Sequence, residues 1–216
     1  ILAVGRERRK LGLEHEDEWV GRGISYCSTC DAPLHRGNTV AVVGGGDAAV
    51  KGAVLLGKYA ERVYVIYRRD AFTRPEAVNL SQMEAAPNVE QVLGANVVEL
   101  RGDDGLSGIV LDRPIDGSAE LAVQGLFIEI GADSRVELAK QLVLTLNGQD
   151  EIEVDGAGRT SVNGVFAAGD VTNGAGELKQ TITAAAQGAL AATAAYEYVS
   201  EHGNRCEIHA MGYALA

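Results

Sequence analysis

The spacing of apolar positions changes period several times along the chain, and each change marks an element. Residues 39–43, TVAVV, are a continuous apolar run. Three glycines follow, then DAAVKGAVLLGKYA, whose Ala, Val and Leu recur at helical spacing. A second apolar run, RVYVIY, comes next and is closed by RRD. This predicts a strand, a glycine turn, a helix and a second strand, and a connection of that kind requires the two strands to be parallel. VEQVLGANVVEL and LSGIVL read as shorter strands suited to an antiparallel insert or edge, and GLFIEIG at 125–131 as another apolar strand. Farther on, SVNGVFAAGDVTNG reads as a strand ending in Gly-Asp. It leads into an Ala-rich segment in which Ile182, Ala186, Leu190 and Ala194 keep one apolar stripe, which predicts a buried helix over about 177–200. Residues 1–22 open in a strand-like run, ILAV, and continue as a charged connector, GRERRKLGLEHEDEWVGR. The class is α/β.

Composition narrows the options without changing that picture. A chain of 216 residues can bury one large core or two small ones. Its 46% hydrophobic and 23% charged residues are those of an ordinary globular protein. The formal net charge of −11 argues against nucleic acid or an anionic membrane as partner. No apolar run reaches the length of a membrane span. The opening ILAVGRERRK has the reverse order of a secretory leader, and three cysteines are too few for a disulfide scaffold, so a cytoplasmic setting is expected. The chain lacks an initiator Met and opens in what reads as a strand, so it is expected to be a truncated piece of something longer.

Three short stretches carry chemistry. In VVGGGDAAV, Gly44, Gly46 and Ala49 stand in the order G-x-G-x-x-A, after a predicted strand and at the start of a predicted helix. The first Gly would make the tight turn, the second would admit a pyrophosphate, and the small third residue would let helix pack on strand, with the helix N-terminus facing the phosphates. A glycine-rich turn with no ligand is the alternative. An NAD site wants an acidic residue at the end of the second strand. This chain has Tyr67, Arg68 and Arg69, with Arg74 a little farther on, and guanidinium forks suit a 2′-phosphate, hence NADP(H). A solvated basic edge is the competing reading.

The second stretch, CSTCD, places Cys27 and Cys30 with two residues between them and Asp31 next. CxxC spacing can lower a thiol pKa and make a working redox couple. A structural disulfide, two unrelated buried thiols, or zinc completed by two of His202, Cys206 and His209 are the alternatives. The nearby nucleotide loop favours redox chemistry, and no metal site is assigned. Third, GVFAAGD puts Asp170 at a predicted strand tip ahead of a helix N-terminus. That place suits a ligand with hydroxyls and a ring that becomes negative on reduction, as a flavin does, although a plain strand-to-loop turn would look the same. Cys206 and the four histidines, His15, His35, His202 and His209, read as surface residues without catalytic assignment.

GRGISYCSTCDA, VAVVGGGDAAV, YRRDAF, GLFIEIGADSRVEL, GVFAAGDV and KQTITAAAQGALAA occur in this order. Taken together they resemble the low-molecular-weight NADPH-dependent thioredoxin reductases, FAD-containing members of the pyridine-nucleotide disulfide oxidoreductases, over essentially the whole chain. The resemblance implies a Rossmann-like NADPH-binding domain at 12–123 with the CxxC, inserted in an incomplete FAD-binding α/β lobe made of 1–11 and 124–216. It implies that Cys30 faces the flavin, that Cys27 is the interchange thiol, and that Asp31 is the acid-base group. Gly44, Gly45, Gly46, Asp47, Ala48, Ala49, Tyr67, Arg68, Arg69 and Arg74 would hold NADP(H). Gly169, Asp170, Lys179, Gln180, Thr181 and Ile182 would hold FAD. Electrons would pass from NADPH through FAD to the cysteine pair and on to thioredoxin, in a homodimer whose nucleotide domain rotates. The first G-x-G-x-x-G of that family does not occur before residue 1, so the chain alone is expected to bind flavin weakly or not at all, and the Ala-rich helix to show an apolar face that dimerisation would cover. Tyr67 replaces the usual His, and FTRPEA moves the later arginine by one, which bears on the choice of nucleotide. A peroxide-defence or ferredoxin-linked disulfide reductase, or a non-catalytic NADP-binding redox module, are the alternative readings.

Overall fold

In the computed structural model, which describes residues 1–176 and 178–202, the chain runs through ten strands and five helices. They are β1 (Arg6–Arg8), β2 (Ile24–Ser25), α1 (Ser28–Asp31), β3 (Thr39–Val43), α2 (Asp47–Leu56), β4 (Arg62–Tyr67), α3 (Ala77–Ala85), β5 (Val89–Leu93), β6 (Val97–Gly102), β7 (Leu106–Ile115), β8 (Ser118–Ala122), β9 (Gly125–Ile128), β10 (Ala132–Ser134), α4 (Glu137–Gln141) and α5 (Thr181–His202). They form two units. One is Arg8–Gly131; the other joins Ile1–Glu7 to the chain from Ala132 onward, so the first is inserted in the second.

The inserted unit is built on a five-stranded parallel sheet in the order β2-β9-β3-β4-β5. The β3–α2–β4 crossover brings Val43 opposite Ile66 on one side, while β9 brings Ile128 opposite Val43 on the other. Alternate residues feed two separate cores, because successive side chains of a strand point to opposite faces. Val40, Val42, Val63, Val65 and Phe127 pack with Ala49, Val50, Ala53, Leu56 and Met83 of the helices. Ala41, Val43, Tyr64, Ile66, Leu126 and Ile128 pack with Leu100, Leu106, Ile109, Leu111 and Leu121 of an antiparallel three-stranded sheet, β6-β7-β8. A parallel sheet covered on both faces needs near-continuous apolar runs, which is why TVAVV and RVYVIY lack alternation. Each fully buried aliphatic side chain here contributes about 1.5–3 kcal/mol. β6 and β7 are antiparallel, whereas β5 extends the parallel sheet as its outer strand. β9, which the sequence reading gives to the other lobe, lies between β2 and β3 in this sheet.

The second unit departs from the pattern-based expectation in three places. ILAV and GVFAAGD form no regular strands. The two segments meet at a single bridge, Leu2 with Ala167, and Phe166 makes a second one with Arg159. The helix begins at Thr181, well after Asp170, with a turn-rich loop between them. Nor is it a buried helix. Only Ala191 and Ala194 are buried, against Phe166 and Ala168, while Ile182 is 76% and Leu190 51% exposed. The described part of this unit covers the helix at those two alanines, so that of the predicted stripe only Ala194 is buried and the larger Ile182 and Leu190 are left exposed. Among the described residues, no helix is long and apolar enough to cross a membrane.

The charged connector is folded rather than free, and one residue organises it. Glu16 is only 2% exposed. Its carboxylate accepts from the backbone N–H groups of Leu11 (3.0 Å), Gly12 (2.7 Å) and Leu13 (3.2 Å), and from the Tyr26 hydroxyl (2.6 Å). Four donors satisfy a charge that burial would otherwise make costly. Burial, then the hydrogen bond to Glu16, push the Tyr26 hydroxyl well above the usual phenol range. Tyr26 immediately precedes Cys27, so this buried carboxylate fixes the approach to the cysteine pair. Glu16→Ala is expected to lower unfolding stability by about 2–4 kcal/mol in denaturant titrations, because it orphans three amides and a phenol. Glu16→Gln, which keeps one acceptor, should lose about half as much.

Candidate functional site

Both the cysteine pair and the glycine loop belong to the inserted unit. They lie at the carboxyl ends of the parallel strands, where ligands of open α/β sheets bind. A cleft of 580 Å³ at the opposite ends, lined by Thr39, Glu61, Arg62, Asn88 and Glu90, holds none of the predicted site residues.

Cys27 caps α1, and its sulfur accepts from the Cys30 N–H at 3.2 Å. Cys27 and Cys30 form a disulfide with their Cα atoms 5.3 Å apart. Cys27 is half-buried and Cys30 exposed. A hydroxyl that the sequence reading overlooked organises the neighbourhood. Ser25 Oγ donates to Asp31 Oδ2 at 2.7 Å and accepts from the Cys27 N–H at 3.0 Å. The acid named from sequence is therefore tied through Ser25 to the backbone of the first cysteine. Behind the pair, buried Ser28 donates to Glu129 Oε1 from its hydroxyl (2.8 Å) and its amide (3.3 Å). A side chain at Gly52 of α2 would collide with Ser28, so that glycine lets α1 seat on α2. Burial pulls nearby His35 below the ordinary imidazole value against the upward pull of Asp31. Its ring packs edge-on to Phe127, consistent with a packing role.

The three glycines have three different reasons. Gly44 sits at φ +151, and a Cβ there would strike the Glu129 carbonyl and Ala49. A Cβ on Gly45 would fall in the Tyr67 ring. Gly46 is the N-cap of α2, with extended backbone and nothing within 4 Å of where a Cβ would stand. The open cradle is thus at Gly46, before the unpaired amides of a ten-residue helix. Asp47 does not face that cradle as a free acid. It pairs with Lys51 at 2.7 Å and accepts from the Glu76 N–H and Asn79 Nδ2, both at 2.9 Å. Burial pushes its pKa up, but those three hydrogen bonds outweigh it and hold the carboxyl below its ordinary value. Ala48 is exposed and Ala49 buried against the sheet.

Tyr67 ends β4, and the three arginines follow it on one turn. Arg68, Arg69 and Arg74 are exposed, and their guanidiniums make no ion pair or hydrogen bond among the described residues. Arg74 has a left-handed backbone, φ +52. In an acidic chain, three unpaired guanidiniums beside a helix N-terminus are a place for a polyanion. These features fit a phosphorylated dinucleotide.

In the other unit, Gly169 adopts φ +81 and donates its N–H to Gln187 at 2.7 Å. The half-buried Asp170 carboxylate has no hydrogen-bond partner among the described residues, which suits a ligand bearing hydroxyls. Lys179 is already engaged: it pairs with buried Glu151 at 2.8 Å and donates to the Thr172 carbonyl. Gln180, Thr181 and Ile182 are exposed at the start of α5. Among the described residues, no cluster of three metal-ligating side chains occurs, and Cys206 and His209 lie outside the described residues.

Over residues 1–188 the sequence matches the pyridine nucleotide-disulphide oxidoreductase family. It is 39% identical to a thioredoxin reductase of Streptomyces coelicolor over 202 residues, which are 93% of this chain and 62% of the relative. It is 37% identical to a component of the alkyl hydroperoxide reductase of Pseudomonas putida, over 92% of this chain and 38% of that protein. The crystal structure of a Lactococcus lactis thioredoxin reductase is similar with a TM-score of 0.73 and 32% identity, covering 92% of this chain and 65% of that one. The chain spans about three-fifths of the length of the curated relatives it matches first.

The glycine geometry makes a sharp contrast testable by thermal unfolding. Gly45→Ala should cost about 1–3 kcal/mol, since the methyl displaces the Tyr67 ring. Gly46→Ala, with open space, should cost under about 1 kcal/mol. The Asp47 carboxyl is depressed on folding, so its contribution is full above its ordinary pKa and lost as pH falls through the lowered folded value. The stability gap between wild type and Asp47→Asn should therefore shrink as pH is taken down through the acid range.

Proposed function

Because this chain belongs to the pyridine nucleotide-disulphide oxidoreductase family, we propose that it carries the NADPH-reading and dithiol-bearing portion of a thioredoxin-disulfide reductase. The observation that carries the reading is the Cys27–Cys30 disulfide in the same unit as an open glycine cradle and three unpaired arginines. The inserted unit would be the NADP-binding domain. Gly44 and Gly46 would let the pyrophosphate approach the N-terminus of α2, and Arg68, Arg69 and Arg74 would take the 2′-phosphate. The second unit would belong to the flavin lobe, with Gly169 and Asp170 towards the ribityl hydroxyls and Gln180, Thr181 and Ile182 beside the ring. Lys179, tied to Glu151, would shape that site from behind rather than touch the flavin. Bound NADPH and FAD would supply two electrons to the cysteine pair.

The chemistry of the chain's own residues then follows. With the pair reduced, the Cys27 thiolate attacks one sulfur of the partner's disulfide, and the other partner sulfur leaves as a thiolate and takes a proton. Cys30, deprotonated, attacks the Cys27 sulfur of the mixed disulfide. The Cys27–Cys30 bond re-forms and the partner leaves as a dithiol, having gained two electrons and two protons. Asp31, whose carboxylate accepts from Ser25 Oγ, would take and return a proton there. The partner is thioredoxin or a thioredoxin-like protein, and the working form is a homodimer in the cytoplasm.

Cys30→Ser leaves Cys27 without its resolving thiol. Incubated with oxidised thioredoxin after reduction, this variant should accumulate a mixed disulfide through Cys27 that dithiothreitol releases, read by non-reducing electrophoresis and mass mapping. Absence of any adduct would overturn the roles given to the two cysteines. The similarity to an alkyl hydroperoxide reductase component supports a second reading, in which the partner is a peroxidase-linked dithiol module with the same core chemistry. Preferential trapping of such a module would favour it. Gly46→Ala, nearly neutral for folding, should weaken NADPH binding at least about tenfold in fluorescence titrations, because the methyl stands in the phosphate cradle.

A further inference from the structure

We propose that Tyr67 is a positioning residue that sets the preference for a 2′-phosphorylated nucleotide, by bracing the arginine turn through its hydroxyl on Thr73. The proposal rests on the NADP reading above and deepens it. Three contacts close a ring around the turn. The Tyr67 side chain fills the space above Gly45 and lies parallel to the Phe72 ring, centroids 6.0 Å apart and planes 6° from parallel. Its hydroxyl is hydrogen-bonded to Thr73 Oγ1 at 2.7 Å. The Thr73 N–H returns to the Gly45 carbonyl at 2.7 Å. The chain thus leaves the glycine loop's neighbour strand at Tyr67, makes the turn, and is fastened back to the glycine loop at Thr73.

Arg68 and Arg69 leave this ring at one end, and Arg74 at the other. Asp47 fastens the next few residues by accepting from Glu76 and Asn79, so the turn is tied to the start of α2 on both sides. Arg74 itself holds φ +52, a left-handed conformation that costs a non-glycine residue about 1–2 kcal/mol and persists only where its surroundings impose it. The three guanidiniums make no contact among the described residues that would order them. Where they reach is decided by where the turn holds their Cα atoms. An arginine fork recognises a phosphate by geometry as well as charge, so a loosened turn loses selectivity before it loses attraction. The Tyr67 hydroxyl is engaged by Thr73, and Tyr67 therefore acts through the turn.

The test is calorimetric titration of the full chain with 2′,5′-ADP and with 5′-AMP, for wild type, Tyr67→Phe, Thr73→Val and Thr73→Ser. The wild type is expected to bind 2′,5′-ADP more tightly. Tyr67→Phe keeps the ring over Gly45 and removes only the hydroxyl. It and Thr73→Val should lower the ratio of the two affinities about three- to tenfold, the worth of one hydrogen bond, with 5′-AMP affinity unchanged. Thr73→Ser, which keeps a hydroxyl, should keep the wild-type ratio. A ratio unchanged in Tyr67→Phe, or a parallel loss of both ligands, overturns the positioning role while leaving the NADP reading intact. A wild type that does not distinguish the two nucleotides overturns the NADP reading itself, and this proposal with it.

Discussion

At Gly44 and Gly45 the backbone comes so close to the Glu129 carbonyl and the Tyr67 ring that no side chain fits, and the rest of the site depends on that contact. Two neighbouring strands, β4 and β9, press on the loop from either side through the residues at or just beyond their carboxyl ends. The loop is fixed by packing before any ligand arrives, which leaves only Gly46 open. A site assembled in this way is preorganised, since the conformational cost of shaping it belongs to folding and not to binding.

Glu129 carries the same constraint to the cysteines. Its backbone N–H is bonded to Val43, its carbonyl bounds Gly44, and its carboxylate holds both donors of Ser28 one residue beyond Cys27. The glycine loop and the helix that carries the cysteines therefore share one residue at the end of one strand. Glu16 does comparable work on the other flank of the cysteine segment, through Tyr26. In both places a carboxylate is held by more than one fixed donor, which makes it a rigid joint and a costly one to break.

The charge distribution follows from how the carboxylates are used. The chain has 30 acidic and 19 basic residues. Glu16, Asp47, Glu129 and Glu151 are each committed to backbone amides or a neighbouring side chain, while the three arginines of the turn are left unpaired. Net charge describes the protein at long range; at the turn, local pairing decides, and the local field is positive.

The sequence by itself determined the β3–α2–β4 unit, the cysteine pair and the basic turn, because each is written in contiguous residues: a strand run, a glycine string, a two-residue spacing, an arginine cluster. The nesting of one α/β unit within another came with the family resemblance that the order of the motifs carries, not from the spacing of any one of them. The sequence could not tell why there are three glycines in place of two, since the reason for Gly45 is a ring twenty-odd residues away in the chain. Nor could it single out Ser25, Ser28, Glu129 or Glu16, polar residues with no local signature whose roles arise from partners brought together by the sheet. The stripe at Ile182, Ala186, Leu190 and Ala194 correctly gave a helix, but helical period does not say what covers a face. Only the tertiary structure decided that its alanines pack at Ala191 and Ala194 while Ile182 and Leu190 stand in solvent. Local propensity and spacing fix elements and reactive groups; burial, charge satisfaction and the cost of close approach are properties of distant residues in contact, and only folding puts them there.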